Sequence, residues 1–232
     1  MKRLSLALSL AAVLFASCVS PENKQAKPFA FNEVQKKSRY YKGFVKWEKR
    51  DKDVINDKNA VLCIGSSSMR MWRNIKKDLA PLKIIHCGFG GSTMAEVLKF
   101  KNFFLRYQAR TIIIYEGDND MVRKNAKAEV FAAECKAFCD DVFKLRPETK
   151  IYFISTKPSI RRWSYHKKYA EANALLKKYC ETDKRLTFID VVTPMLGKDG
   201  TPLKDIFLKD KLHMNAKGYK IWRKAVRDAV IK

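Results

Sequence analysis

Residues 65–68, Gly-Ser-Ser-Ser, stand immediately after the apolar run Ala60–Ile64. A run of that length reads as a buried strand, and a glycine followed by hydroxyl residues reads as its exit turn and the N-cap of a helix. Serines so placed sit at the carboxyl end of a strand. Open α/β sheets gather ligands there, with free backbone N–H groups at hand for a developing oxyanion. The chemistry that suits them is attack by an activated hydroxyl, which needs a base, a group that orients the base, and donors for the oxyanion. Asp210 and His213 offer the base and its carboxylate: they are three apart in the loop before the last helix, so one turn can set the carboxylate on the imidazole. Donors are offered by Cys87-Gly-Phe-Gly-Gly-Ser-Thr93, whose three glycines allow close backbone approach, and by the side-chain amide of Asn119 in Gly117-Asp-Asn-Asp120. Each stretch also has a plain reading as an N-cap, a tight turn or a helix cap. Neither CxxC nor HExxH occurs, so no metal is expected. The glycine loop lacks the third glycine of a dinucleotide fingerprint, and no cofactor is expected either.

The elements that must position these residues follow from hydrophobic periodicity. Short apolar runs at 60–64, 83–86, 111–115, 151–155 and 186–189 read as strands, and the stretches between them as helices. The clearest helix is 127–146, where Phe131, Cys135, Phe138, Cys139, Val142 and Leu145 share one face. Helices are also expected at 69–79, 94–107, 161–181 and 216–230, with Pro81 closing the first of these. Strands alternating with helices imply right-handed crossovers and a parallel sheet covered on both faces; strand order stays open. Residues 31–50 read as a helix packed on the side of the domain, with no chemistry of their own.

The chain of 232 residues is long enough for one well-filled domain. Its 48 Lys+Arg against 24 Asp+Glu give +24, a field that favours anionic partners, but the lysines are scattered and no nucleic-acid motif or basic arm occurs. No nucleic-acid partner is expected. Lys2 and Arg3 before the apolar segment Leu4–Phe15 have the layout of a secretory signal, and Leu14-Phe-Ala-Ser-Cys18 resembles a bacterial lipobox. Lipid on Cys18 would tether the protein to the cell envelope without spanning a membrane. The expected organisation is a signal and anchor region at 1–19, a polar tether and helical segment at 20–57, and a catalytic domain at 58–232. Beyond Cys18 five cysteines remain; an odd number argues against a complete disulfide framework and for small core residues.

Taken together, the four stretches resemble the SGNH hydrolases, or GDSL esterase/lipase family, from about residue 58 to the end. The resemblance implies a flavodoxin-like fold, a three-layer α/β/α sandwich with a mostly parallel five-stranded sheet and a shallow open site. It also implies roles. Gly65-Ser66-Ser67 stands where the family has Gly-Asp-Ser, so Ser67 matches the nucleophile. Gly91 matches the glycine whose N–H joins the oxyanion hole, Asn119 the asparagine that donates from its side chain, and Asp210 with His213 completes a triad. Ser66 in place of aspartate leaves Ser66, Ser67 and Ser68 all open as the attacking residue, and His86 falls where the family often has asparagine. The second glycine of the GxSxG elbow is missing, which sets the chain apart from α/β-hydrolases. The expected activity is hydrolysis of a carboxylic ester through an acyl-enzyme, with a short acyl or acetyl group, on an acetylated glycan or short-chain acyl ester. A non-catalytic exported module that binds an anion or glycan is the alternative.

Overall fold

The computed structural model describes residues 27–231, so the expected signal segment and the expected lipid site at Cys18 lie outside the described residues. Five strands form one parallel sheet: β1 (Ala60–Gly65), β2 (Lys83–Gly88), β3 (Thr111–Tyr115), β4 (Lys150–Ile154) and β5 (Leu186–Ile189), in the order β2-β1-β3-β4-β5. The chain starts in the sheet at β1, moves out to β2, then crosses back to β3 on the other side. Strand order therefore reverses between β1 and β3, and the crevice beyond their carboxyl ends is the natural ligand site of such a sheet.

Successive strand residues point to opposite faces. Leu62 and Ile64 of β1 enter one core, which is rich in phenylalanine, while Val61 and Cys63 enter a second core with Trp72, Trp222 and Val226. Every residue of β1 is buried, as expected of a strand covered on both faces. The first core lies under α2 (Tyr41–Arg50), α5 (Met94–Lys99), α6 (Lys101–Phe104), α7 (Ala128–Leu145) and α8 (His166–Cys180), while α1 (Glu33–Lys36) is tied on through Gln35, whose Nε2 donates to the Lys99 carbonyl. The second lies under α3 (Ser67–Met71), α4 (Ile75–Asp78) and α9 (Ala216–Val230). The three layers are thus those expected.

Several expected helices are broken. Residues 69–79 divide into α3 and α4 because Trp72 leaves helical geometry at ψ 69° to bury its ring against Trp222, with its Nε1 donating to Asp78 Oδ2 at 2.7 Å. Residues 31–50 divide at 37–40. Asn32 and Gln35 cap α1 reciprocally, and the Ser38 hydroxyl accepts from the Tyr40 N–H, a local bond that competes with the helix. The stretches 94–107 and 161–181 likewise open with, or contain, short separate turns.

Residues 27–57 wrap one side of the sheet as a strap. Tyr40, Phe44 and Trp47 recur at helical spacing and turn inward together. Phe44 is fully buried and stacks on Phe100 with ring centroids 3.9 Å apart, and Phe29 and Phe31 meet Phe103. The strap belongs to the same core as the sheet.

Candidate active site

β1 ends at Gly65, where a Cβ would lie 2.4 Å from the Tyr115 carbonyl oxygen; only glycine allows β1 to leave the sheet so close to β3. The Ser66 N–H donates to that same oxygen at 3.1 Å, and Ser66 holds the N-cap position of α3 with its carbonyl accepting from the Arg70 N–H, which makes Ser67 the first helical residue. Ser66 and Ser68 are 1% exposed. Ser67 alone of the three turns outward, its hydroxyl donating to His213 Nε2 at 2.9 Å. Packing, not composition, separates the three serines.

His213 is held from behind. Its Nδ1 lies 2.5 Å from Asp210 Oδ2, while Asp210 Oδ1 accepts from the backbone N–H of Leu212 and His213 at 3.0 and 2.9 Å. A carboxylate on Nδ1 assigns the proton to that nitrogen and leaves the Nε2 lone pair toward Ser67. Burial opposes the charge on Asp210, but the bonds from the His213 ring and the two N–H groups outweigh it and hold the carboxyl down to about 2. The loop itself is tied at both sides: Leu208 N–H donates to the His213 carbonyl, and the fully buried Lys157 Nζ donates to the Leu212 carbonyl at 2.9 Å. Lys157 also faces Asp118, 3.4 Å away, which is buried and bonded to Arg162 at 2.6 Å and to the Tyr169 hydroxyl at 2.7 Å. Burial works against the Asp118 charge, yet the two cations hold it below the usual carboxylate range.

On the opposite side stand Gly91, with φ +80°, and Asn119. Asn119 Nδ2 donates to the Ser92 carbonyl at 2.8 Å and its Oδ1 accepts from Arg162 at 3.1 Å. These partners fix the amide orientation and leave one Nδ2 hydrogen for a ligand. Among the described residues neither the Ser67 N–H nor the Gly91 N–H donates to another group. The three strand exits are cross-tied, Phe89 N–H to the Gly65 carbonyl, Ser92 Oγ to Glu116 Oε1, and Asp120 to the N–H groups of Met94 and Gly117. Donors set on such a frame need not reorganise when a charge develops.

Ser67, Gly91, Asn119 and His213 line one open cavity of about 770 Å³, with Asp210 behind His213. The structure therefore gathers all five expected residues at one point. His86 is elsewhere: its Nε2 lies 2.7 Å from the Met69 carbonyl, so it braces α3. The strap, expected to carry no chemistry, forms a whole wall of the cavity through Arg39, Tyr40, Gly43, Phe44 and Trp47. Arg70 and Arg162 complete the lining residues that the motifs did not indicate. Arg70 was findable, since three residues after Ser67 on a helix means the same face. Among the described residues no cluster of side chains suits a metal, and no helix is long and apolar enough to cross a membrane.

The profile of the GDSL-like lipase/acylhydrolase family matches residues 63–221. Among solved structures, a GDSL-like lipase from Bacteroides thetaiotaomicron superposes with a TM-score of 0.69 at 16% identity, covering 80% of this chain and 96% of that one. A catalytic mutant of an acetylxylan esterase from Geobacillus stearothermophilus superposes at 0.63 with 12% identity, covering 77% of this chain and 97% of the other. Likeness at such identities is likeness of fold. A curated relative, N-acylneuraminate cytidylyltransferase of Escherichia coli O18:K1:H7, is 23% identical over 188 residues, and the match takes in 79% of this chain but only 42% of that protein.

Proposed function

We propose, on the premise that this chain belongs to the GDSL-like lipase/acylhydrolase family and is a carboxylic ester hydrolase, that it cleaves short acyl esters through an acyl-enzyme on Ser67. The observation that carries the reading is the Ser67–His213–Asp210 relay, with 2.9 and 2.5 Å between successive partners. In the first step His213 Nε2 takes the Ser67 proton as Oγ attacks the ester carbonyl carbon. The oxyanion is received by the N–H groups of Ser67 and Gly91 and the free Asn119 amide hydrogen. Collapse expels the alcohol, which takes its proton from His213. Water, deprotonated by the same imidazole, then releases the acid and restores Ser67. Asp210 stabilises the imidazolium and fixes its orientation.

A cavity open to solvent, lined by Ser67 and His213, supports a small acyl group on a larger, solvated alcohol, such as an acetylated glycan. The acetylxylan esterase of the same fold acts on a substrate of that kind. Family membership displaces the non-catalytic alternative. Hydrolysis of p-nitrophenyl acetate by the wild type and by Ser67→Ala tests the relay. We expect a loss of about ten-thousandfold or more in kcat for the variant; equal rates in the two proteins would remove Ser67 from the mechanism.

A further inference from the structure

Three cations line the cavity, Arg39, Arg70 and Arg162, and no aspartate or glutamate is among its lining residues. The charge of Arg162 is already answered by Asp118. The other two differ. Among the described residues the Arg70 guanidinium makes no hydrogen bond or ion pair, and that of Arg39 reaches only uncharged acceptors, the Gly91 carbonyl and the Tyr40 hydroxyl. Cations of a basic surface are normally solvated singly and mean little. Here they are side by side on the substrate wall: a Cβ at Gly90 would lie 2.7 Å from Arg70 Nε, and one at Gly91 would lie 3.1 Å from Arg39 Nη2. The two guanidinium groups thus rest over successive glycines of the loop that also supplies an oxyanion N–H. The absence of side chains at 90 and 91 is what gives them room.

Residue type adds a second argument. The chain holds 34 lysines and 14 arginines, yet every cation lining the cavity is arginine. A planar guanidinium pairs with a carboxylate, sulfate or phosphate through two parallel bonds, which an ammonium cannot do. With one edge of Arg39 engaged and the Arg70 guanidinium free, unspent donors stand in the cavity that Ser67 also lines.

Building on the esterase reading, we infer that the substrate is an ester with a fixed anionic oxygen group on the part that overlies Gly90 and Gly91, held between Arg39 and Arg70. The acyl carbonyl then sits at Ser67, and the anion sets which ester of a polyhydroxylated substrate is presented.

The test uses the full-length chain and three acetyl esters of one sugar: a neutral methyl glucoside, the corresponding uronic acid, and the glucoside sulfated on its primary hydroxyl. The reading is the ratio of kcat/KM for each anionic ester to that for the neutral one, which cancels any general loss of folding or chemistry. The wild type should favour at least one anionic ester by on the order of tenfold or more. Arg70→Gln should lower that ratio, and Arg39→Gln with Arg70→Gln should bring it within about threefold of one. A wild-type ratio near one, or a preference that survives in the double variant, overturns the inference. Failure of the esterase reading is distinct, because Ser67→Ala would then hydrolyse these esters as fast as the wild type. In that case calorimetric binding of methyl glucuronide against methyl glucoside, in wild type and double variant, decides the anion site by the same two criteria.

Discussion

The carboxyl edge of the sheet and the strap of residues 27–57 face each other across one cavity and are held by different forces. The edge is tied by backbone and short polar side chains: Ser66 to Tyr115, Phe89 to Gly65, Asn119 to Ser92, Asp120 to Met94 and Gly117. Its energy is directional, and small errors of position break bonds. Most of the strap's hold is aromatic packing of Phe29, Phe31 and Phe44 on Phe100 and Phe103, with arginine side chains reaching across and two polar ties, Gln35 Nε2 to the Lys99 carbonyl and the Tyr107 hydroxyl to Asp51. Its energy depends on buried area and tolerates adjustment. A frame that fixes reacting atoms and a wall that fits the rest of a substrate call for these two kinds of cohesion.

Removing Asn119, the side-chain donor proposed for the oxyanion, tests this division most severely. Asn119→Ala should lower kcat by about 10²–10³-fold, with KM little changed and the same factor for small and bulky esters. A loss that varies with the size of the ester would mean that edge and strap are not separable. Next comes the buried support of the His213 loop. Lys157→Met leaves the Leu212 carbonyl without its donor and should cost about 1–3 kcal/mol in urea unfolding. It should also lower kcat on p-nitrophenyl acetate by about tenfold as His213 loses its register with Ser67. An unchanged kcat would confine Lys157 to stability. The smallest effect belongs to the strap. A Cβ at Gly43 meets nothing within 4 Å and this glycine lies in α2. Gly43→Ala should therefore raise stability by about 0.5–1 kcal/mol. It should reduce kcat/KM for an acetylated disaccharide relative to p-nitrophenyl acetate; an equal change on both would show that the strap reaches the chemistry.

The same contrast explains what could be read in advance. The central strands β1, β3 and β4 were legible because a strand buried on both faces must be largely apolar, and each candidate residue of the edge follows a strand by a few positions. Asp210 and His213 were legible because their partnership is local. The choice among Ser66, Ser67 and Ser68 was not, since it depends on which hydroxyl the turn against Tyr115 leaves facing a residue 146 positions away. The break between α3 and α4 was hidden for a similar reason: Tyr219 and Trp222, distant in sequence, hold the Trp72 ring out of the helix. Tyr40, Phe44 and Trp47 announced a buried face but not what it would bury against, and so the strap's share of the cavity had no local signal.

Among the described residues all five cysteines are free and buried, on β1, β2, α7 and α8, and burial pushes the thiols of Cys87, Cys139 and Cys180 up to about 12. A maleimide added to the folded protein therefore meets no ready thiolate there, and the pace of its reaction becomes a clock for opening. Labelling at Cys135 and Cys139 times the release of α7, and labelling at Cys63 and Cys87 times the parting of β1 and β2. One cysteine introduced on the exposed surface would outpace them all, and could carry a dye or a tether without disturbing the serine chemistry.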